Sequence, residues 1–381
     1  MSEYQYYEFR AIDRPLSAKE QGELRSYSTR ARITPTSFIN DYSWGNFKGN
    51  PNAWMEKYFD AFLYLTNWGT RELQLRLPSS LLPIETARAY CYTDCTSVRE
   101  KNGKIILSFV SEEEPEGEWE EGESWLSSII PVRAELARGD NRCLYLAWLL
   151  SVQQSELDEE EEEPPVPEGL GELSGSLVSF TDFLRIDQNL LHAAAQTSLP
   201  LHLARPTQED VLAYVRMLSA EEKDGLLLHL MMGEEAHLGA EMLNRFLKEK
   251  RKNTSLSLKH QRRTVGELIR AGDEYREKRL EAAAKKAAEE KARREAEKAA
   301  RREKHLDTIA SREAETWLRV DDLIATKQPG RYDEAISLLI DLRDVAKRKG
   351  KTKEFMAQVT LLRKQHEKKP SLLKRIEKAG L

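Results

Sequence analysis

Two cysteines, Cys91 and Cys95, stand four apart in CYTDC, close enough for their thiolates to reach one metal ion. A structural zinc takes four ligands, usually as two close pairs. Cys143 is isolated and no nearby histidine completes a set, so ordinary buried thiols are the expected state. Glu234, His237 and Glu241 are spaced three and four apart, which on a helix aligns them on one face. Glu-x-x-His is half of a di-iron carboxylate motif. The second half is missing, and although His229 is near, a solvated helix face is the simpler account. The pairs Trp44-Gly45 and Trp68-Gly69 could offer a ring to a stacked ligand, but core aromatics followed by a capping glycine are expected.

The segment RFLKEKRKNTSLSLKHQRR (245–263) carries eight Lys/Arg against one acid, plus His260. Lys248, Lys250, Arg251, Lys252, Lys259, Arg262 and Arg263 form a candidate site for nucleic acid or another anion, since clustered cations displace counterions from phosphates. Phe246 is its only aromatic, so base stacking is not provided, and the same charges could face the chain's own acidic stretches. No phosphate-binding glycine loop, nucleophile elbow or metalloprotease helix occurs. No catalytic residue, metal or cofactor is therefore assigned, and an enzyme would need a dispersed site in the aromatic-rich first part of the chain.

These residues belong to 381 positions, a length that suggests two or three domains. Most of the aromatics fall within the first 150 residues, which should hold the largest core. No apolar run approaches the ~18–20 residues of a membrane span, and MSEYQYYEFR does not read as a signal peptide. Three cysteines are too few and odd in number for a disulfide framework, so a reducing, cytoplasmic setting is expected. The net charge of −5 conceals an asymmetry: 21 Lys/Arg and 41 Asp/Glu precede residue 245, and 38 and 23 follow. Such halves can attract each other or sort partners.

Residues 4–12 read as an aromatic strand, and Ser17 with Glu20 as a capping box opening a helix to about Ser26. Residues 31–44 look extended, 50–65 carry Trp54, Met55, Tyr58, Phe59, Phe62 and Leu65 at helical spacing, and 71–78 alternate as a half-buried strand. Asn102-Gly103 marks a hairpin, and 124–154 read as helix. The expectation for 1–154 is an α+β domain with a mainly antiparallel sheet and a ferredoxin-like alternation. The acidic, proline-containing stretch 155–175 reads as an extended linker. A helical module over 176–252 follows, in which SAEEKDGLLLHLMM opens with a second capping box, Ser219 to Glu222.

A long helix is expected over 264–327. Its stretch 281–305 consists of 15 charged residues, nine alanines and His305, with no large apolar side chain. A coiled coil needs apolar a and d positions, so this helix must rely on alanine propensity and on pairs such as Glu281–Lys285, Glu289–Arg293, Glu290–Arg294 and Glu297–Arg301. Twenty-five residues would reach about 37 Å at 1.5 Å per residue.

In 311–381, AETWLRVDDLIATKQ and GRYDEAISLL resemble the two helices of a tetratricopeptide repeat, through Trp317, Gly330, Tyr332, Ala335 and Leu339. The resemblance covers about 34 residues and departs at Asp321, at an extra Pro329 and at a missing later proline. It implies a relative of that superhelical class and a protein-docking helical pack, with Trp317 and Tyr332 in the groove between the helices and Lys347 and Lys364 on its surface. FMAQVTLLRKQHEKKPSLLKRIEKAGL also resembles the ends of bacterial SWIM zinc-finger proteins, whose zinc signature is absent, so no function transfers.

The sequence thus suggests a non-catalytic interaction or scaffolding protein with protein partners and no membrane segment. In it, a stiff charged helix would space an α+β head from a C-terminal docking module. An accessory subunit of a nucleic-acid complex is the second reading, and an enzyme in the head is the third.

Overall fold

A computed structural model of the chain describes residues 4–45, 47–113, 121–201, 207–232, 237–253 and 262–381. The strands and first helices run β1 (Gln5–Arg10), α1 (Ala18–Arg25), β2 (Arg32–Thr34), β3 (Ser37–Tyr42), α2 (Pro51–Lys57), β4 (Ala61–Thr66), β5 (Thr70–Pro78), α3 (Ile84–Arg88), β6 (Thr96–Lys101) and β7 (Lys104–Glu112). Helices follow: α4 (Trp125–Ile129), α5 (Pro131–Ala137), α6 (Arg142–Gln153), α7 (Gly175–Leu184), α8 (Gln188–Ala195), α9 (Gln208–Met217), α10 (Ala220–Met232) and α11 (Leu238–Asn253). The last are α12 (Val265–Ser311), α13 (Glu313–Ala325), α14 (Pro329–Arg348), α15 (Thr352–Gln365) and α16 (Pro370–Lys378). Two compact units result, Met1–Lys278 and Arg279–Leu381, with the boundary inside α12.

The first unit is built on a seven-stranded sheet of order β2-β3-β1-β4-β5-β7-β6 in which every pair is antiparallel. The antiparallel α+β expectation holds and strands alternate with helices, but the sheet has seven strands where a ferredoxin-like unit has four. The strands run as β1, then three hairpins β2–β3, β4–β5 and β6–β7, with α1, α2 and α3 in the connections between them, and β2–β3 is a hairpin where the sequence suggests a single extended stretch. Asn102 and Gly103 have φ of 51° and 68°, the left-handed pair that a two-residue hairpin turn between β6 and β7 requires. The Ser17–Glu20 capping box is formed at the start of α1.

Residues 50–65 are not one helix. Asn50 caps α2 and Pro51 takes its first position, but the helix ends at Lys57. Buried Asp60 then accepts the amides of Ile12 and Asp13 at 2.7 and 2.9 Å and a bond from Arg76 at 2.8 Å. From Ala61 the chain pairs with β1 on one side and β5 on the other, so ladder pairing overrides the helical spacing of the aromatics.

One sheet face, with Tyr6, Leu63, Leu73, Leu75 and Leu107, packs under α4 to α8. The other carries Tyr7, Phe9, Phe38 and Phe62 against Trp54, Met55 and Phe59. β5 is buried on both faces rather than half-buried.

The stretch 155–175 is not a free linker. Glu163 is 2% exposed, Leu170 belongs to the main core with Leu177, Phe180 and Phe183, and Glu162 bridges to Thr264. Thus α7 and α8 complete the head's core instead of forming a separate 176–252 module, while Tyr214, Leu218 and Phe246 hold α9 and α11 together in a small cluster. Among the described residues, no helix is long and apolar enough to cross a membrane.

The expected 264–327 helix is two helices. α12 runs 47 residues, and Arg312, with φ −123° and ψ 37°, breaks it before α13. Residues 281–305 are exposed throughout. Of the four expected pairs, Glu290–Arg294 forms at 2.6 Å, and Arg293 turns to Glu297 at 3.9 Å.

Candidate docking surfaces

The C-terminal unit has its own core. Val320, Leu323 and Ile324 of α13 meet Tyr332, Ala335, Leu339 and Leu342 of α14, with Phe355, Val359 and Leu362 of α15 and Leu372 and Ile376 of α16. Pro329 sits at the first position of α14, where its missing N–H costs nothing. Tyr332 is 6% exposed, in keeping with its expected place between helices. Trp317 is only half-buried, and its ring faces Phe355 of α15 at 5.8 Å rather than Tyr332. Lys347 and Lys364 are exposed.

The end of α12 is bound to α14 within this unit. Arg302 bridges Asp341 and Asp344, the latter at 2.7 Å, and His305 reaches Asp341 at 2.7 Å. Arg348 reaches Glu303 and Asp307 at 3.4 and 3.3 Å, and Leu306 is buried. The solitary part of the helix therefore ends about one turn earlier than its composition suggests.

The basic segment divides. Lys259 lies outside the described residues. Lys248, Lys250, Arg251 and Lys252 lie in or at the end of α11, with side chains outside the described set. Arg263 is withdrawn from the candidate anion site, because it forks onto buried Glu163 at 2.8 and 2.9 Å and donates to the Ala193 carbonyl at 2.9 Å. The Tyr145 hydroxyl completes the set on Glu163. Burial, and then the Glu163 charge, push the Tyr145 phenol well above its ordinary range. Arg262 lies 3.7 Å from Glu162. At these two positions basic residues meet the chain's own acidic stretch, the option that composition left open.

The other candidates for chemistry are placed structurally. Cys91, Cys95 and Cys143 are buried free thiols, and burial raises all three, Cys95 to about 11 and Cys143 well above its usual value. His237 precedes α11 instead of lying on a helix with Glu241, Glu234 is outside the described residues, and the two described side chains go elsewhere. His237 approaches Asp13 at 3.1 Å, and Glu241 accepts from Ser80. Arg133 clasps Asp13 at 2.6 Å; although burial pushes the other way, Arg133 holds this carboxyl below its ordinary range. Trp44 and Trp68, expected in the core, are exposed, with Arg30 over the Trp44 ring at 5.7 Å. They lie just past strand ends, so the glycines after them turn the chain without carrying the rings inward.

One polar cluster is not legible in the sequence. Glu72, Gln74 and Arg76 alternate on β5 like a solvent-facing row, yet Gln74 and Arg76 are buried and Glu72 is mostly so. Gln74 donates to Glu72 at 2.5 Å and to Asn52 at 3.0 Å, and Arg99 donates to Asn52 at 2.9 Å and Gln74 at 3.2 Å. Burial raises the Glu72 carboxyl above its ordinary value and lowers Arg99. Because the folded state holds the Glu72 proton to higher pH than the unfolded chain, this residue's contribution becomes less favourable as pH rises through the raised value. Glu72→Gln should therefore raise the free energy of unfolding at pH 7, by on the order of 1 kcal/mol, and by less at pH 4. Urea melts at the two pH values check this, and an equal shift at both would refute the titration account.

No protein-family model, curated protein or solved structure matches this chain.

Proposed function

We propose that this chain is a non-catalytic interaction protein in which the solvated helix joins an α+β head to a C-terminal helical docking module. The carrying observation is that residues 281–305 are exposed throughout while the segments on either side belong to units with separate apolar cores. A charged, alanine-rich helix that buries nothing adds no core; its use is mechanical, as a stiff connection held by propensity and local pairs. The tetratricopeptide-like reading of α13 and α14 fits this role. Their buried residues hold the C-terminal helices together, and Lys347, Lys364 and their neighbours remain free to meet an acidic partner surface.

The test is a deletion of 18 residues, 284–301, which is about five turns and so preserves the helix phase. Both units should melt as in the unaltered chain. A partner held by one unit should bind unchanged, and a ternary complex using both should be lost. Retention of such a complex would overturn the spacer role.

A further inference from the structure

α10 is rich in large apolar residues, yet among its described residues none is buried. Leu227, Leu228, Leu230, Met231 and Met232 are each 57–84% exposed. On α9, Leu212 and Met217 are exposed as well, Met217 at 81%. Proteins that function alone rarely leave contiguous apolar surface beyond a few hundred Å², and methionine-rich surfaces adapt readily to a docked helix.

At 100° per residue, Glu221, Asp224, Leu227, Leu228, Met231 and Met232 share an outward arc of roughly 140°. The contacts with the rest of the protein lie on the opposite side, where Leu226 packs on the Tyr214–Phe246 cluster and Glu222 pairs with Arg245 of α11 at 3.0 Å, although Leu230 beside Leu226 is exposed. The outward stripe thus has acids at its N-terminal end and long apolar side chains beyond. Residues 207–232 hold five acids, Glu209, Asp210, Glu221, Glu222 and Asp224, against Arg216 and Lys223.

We infer that this face docks a basic amphipathic helix of a partner protein. Such a helix would lay Leu-type anchors at i, i+4 and i+7 along Leu227, Leu228, Met231 and Met232, with its lysines or arginines toward Glu221 and Asp224. The charge selects this occupant. A second copy would set acid against acid, and an anionic lipid surface would be repelled. The inference rests on α9 and α10 alone and does not depend on the role of the C-terminal module.

The full-length protein is titrated into a fluorescein-labelled 18-residue Leu/Lys amphipathic peptide, and anisotropy is read at low and at physiological salt. The expected result is saturable binding that Leu228→Glu with Met231→Glu weakens at least tenfold. Glu221→Lys with Asp224→Lys should weaken it several-fold, most strongly at low salt. All four side chains are exposed, so melting curves should be unchanged. Met231→Ser serves as the milder variant and should weaken binding in the same direction. A peptide with Glu in place of Lys should bind at least tenfold more weakly. No binding, equal binding by the Glu peptide, or indifference to the stripe variants would overturn the proposal. So would association with phosphatidylcholine–phosphatidylglycerol vesicles, or self-association in sedimentation, that Leu228→Glu with Met231→Glu abolishes.

Discussion

Removing the Glu163 carboxylate should be among the most costly single changes in the first unit. Glu163→Ala leaves Arg263 without its counter-charge, although Arg263 is held beside the core by the Ala193 carbonyl, and strips the buried Tyr145 hydroxyl of its acceptor. Breaking a buried pair from one side typically costs ~3–5 kcal/mol, most of it the penalty for the ion left behind. The expected readout is a urea midpoint that falls at unchanged slope, together with new protease cleavage within 155–175. Replacing both partners, as Glu163→Met with Arg263→Met, should recover much of the loss, since an apolar pair leaves no orphan charge. If Glu163→Ala melts like the unaltered protein, the pair does not pin this stretch. If the unaltered protein is cut first at 161–175, the stretch is a linker after all.

The second large effect belongs to Tyr332. Its ring is almost wholly buried at the centre of the C-terminal core, among residues of the other helices. Truncating a buried aromatic costs ~3–5 kcal/mol, which is about all that a helical core of this size holds. Tyr332→Ala should therefore unfold 311–381 while the head keeps its own transition. Trp317→Ala should cost less, on the order of 1–3 kcal/mol, because that side chain is half-buried and loses chiefly its packing on Phe355. The exposed Lys347 and Lys364 should tolerate alanine within about 0.5 kcal/mol. Hydrogen exchange of the full chain reads all four variants by region. Equal losses for Trp317 and Tyr332 would show that the burial difference does not govern stability here.

Short-range features are legible in the sequence. The Ser17–Glu20 and Ser219–Glu222 caps and the Asn102-Gly103 turn each need only the residues they contain. The exposed helix over 281–301 is legible for a related reason: with no large apolar side chain to bury, it rests on its own propensity and local pairs. The apolar positions of α14 at Tyr332, Ala335 and Leu339 also announce themselves, since helical periodicity marks a buried face without naming its partner.

Whatever depends on a partner far along the chain is decided only by tertiary structure. Acidic residues 156–163 look repulsive and extended until Arg263, one hundred residues on, supplies the charge that holds Glu163 in place. Helical spacing over 50–65 loses to ladder pairing with β1 and β5. The polar alternation of β5 gives no warning that Glu72 loses most of its water, and the apolar residues of α10 give none that they keep theirs. Composition and spacing report what a side chain would gain by being buried. Whether it is buried depends on which distant surface reaches it first, and that surface also fixes the desolvation cost and the compensating charge.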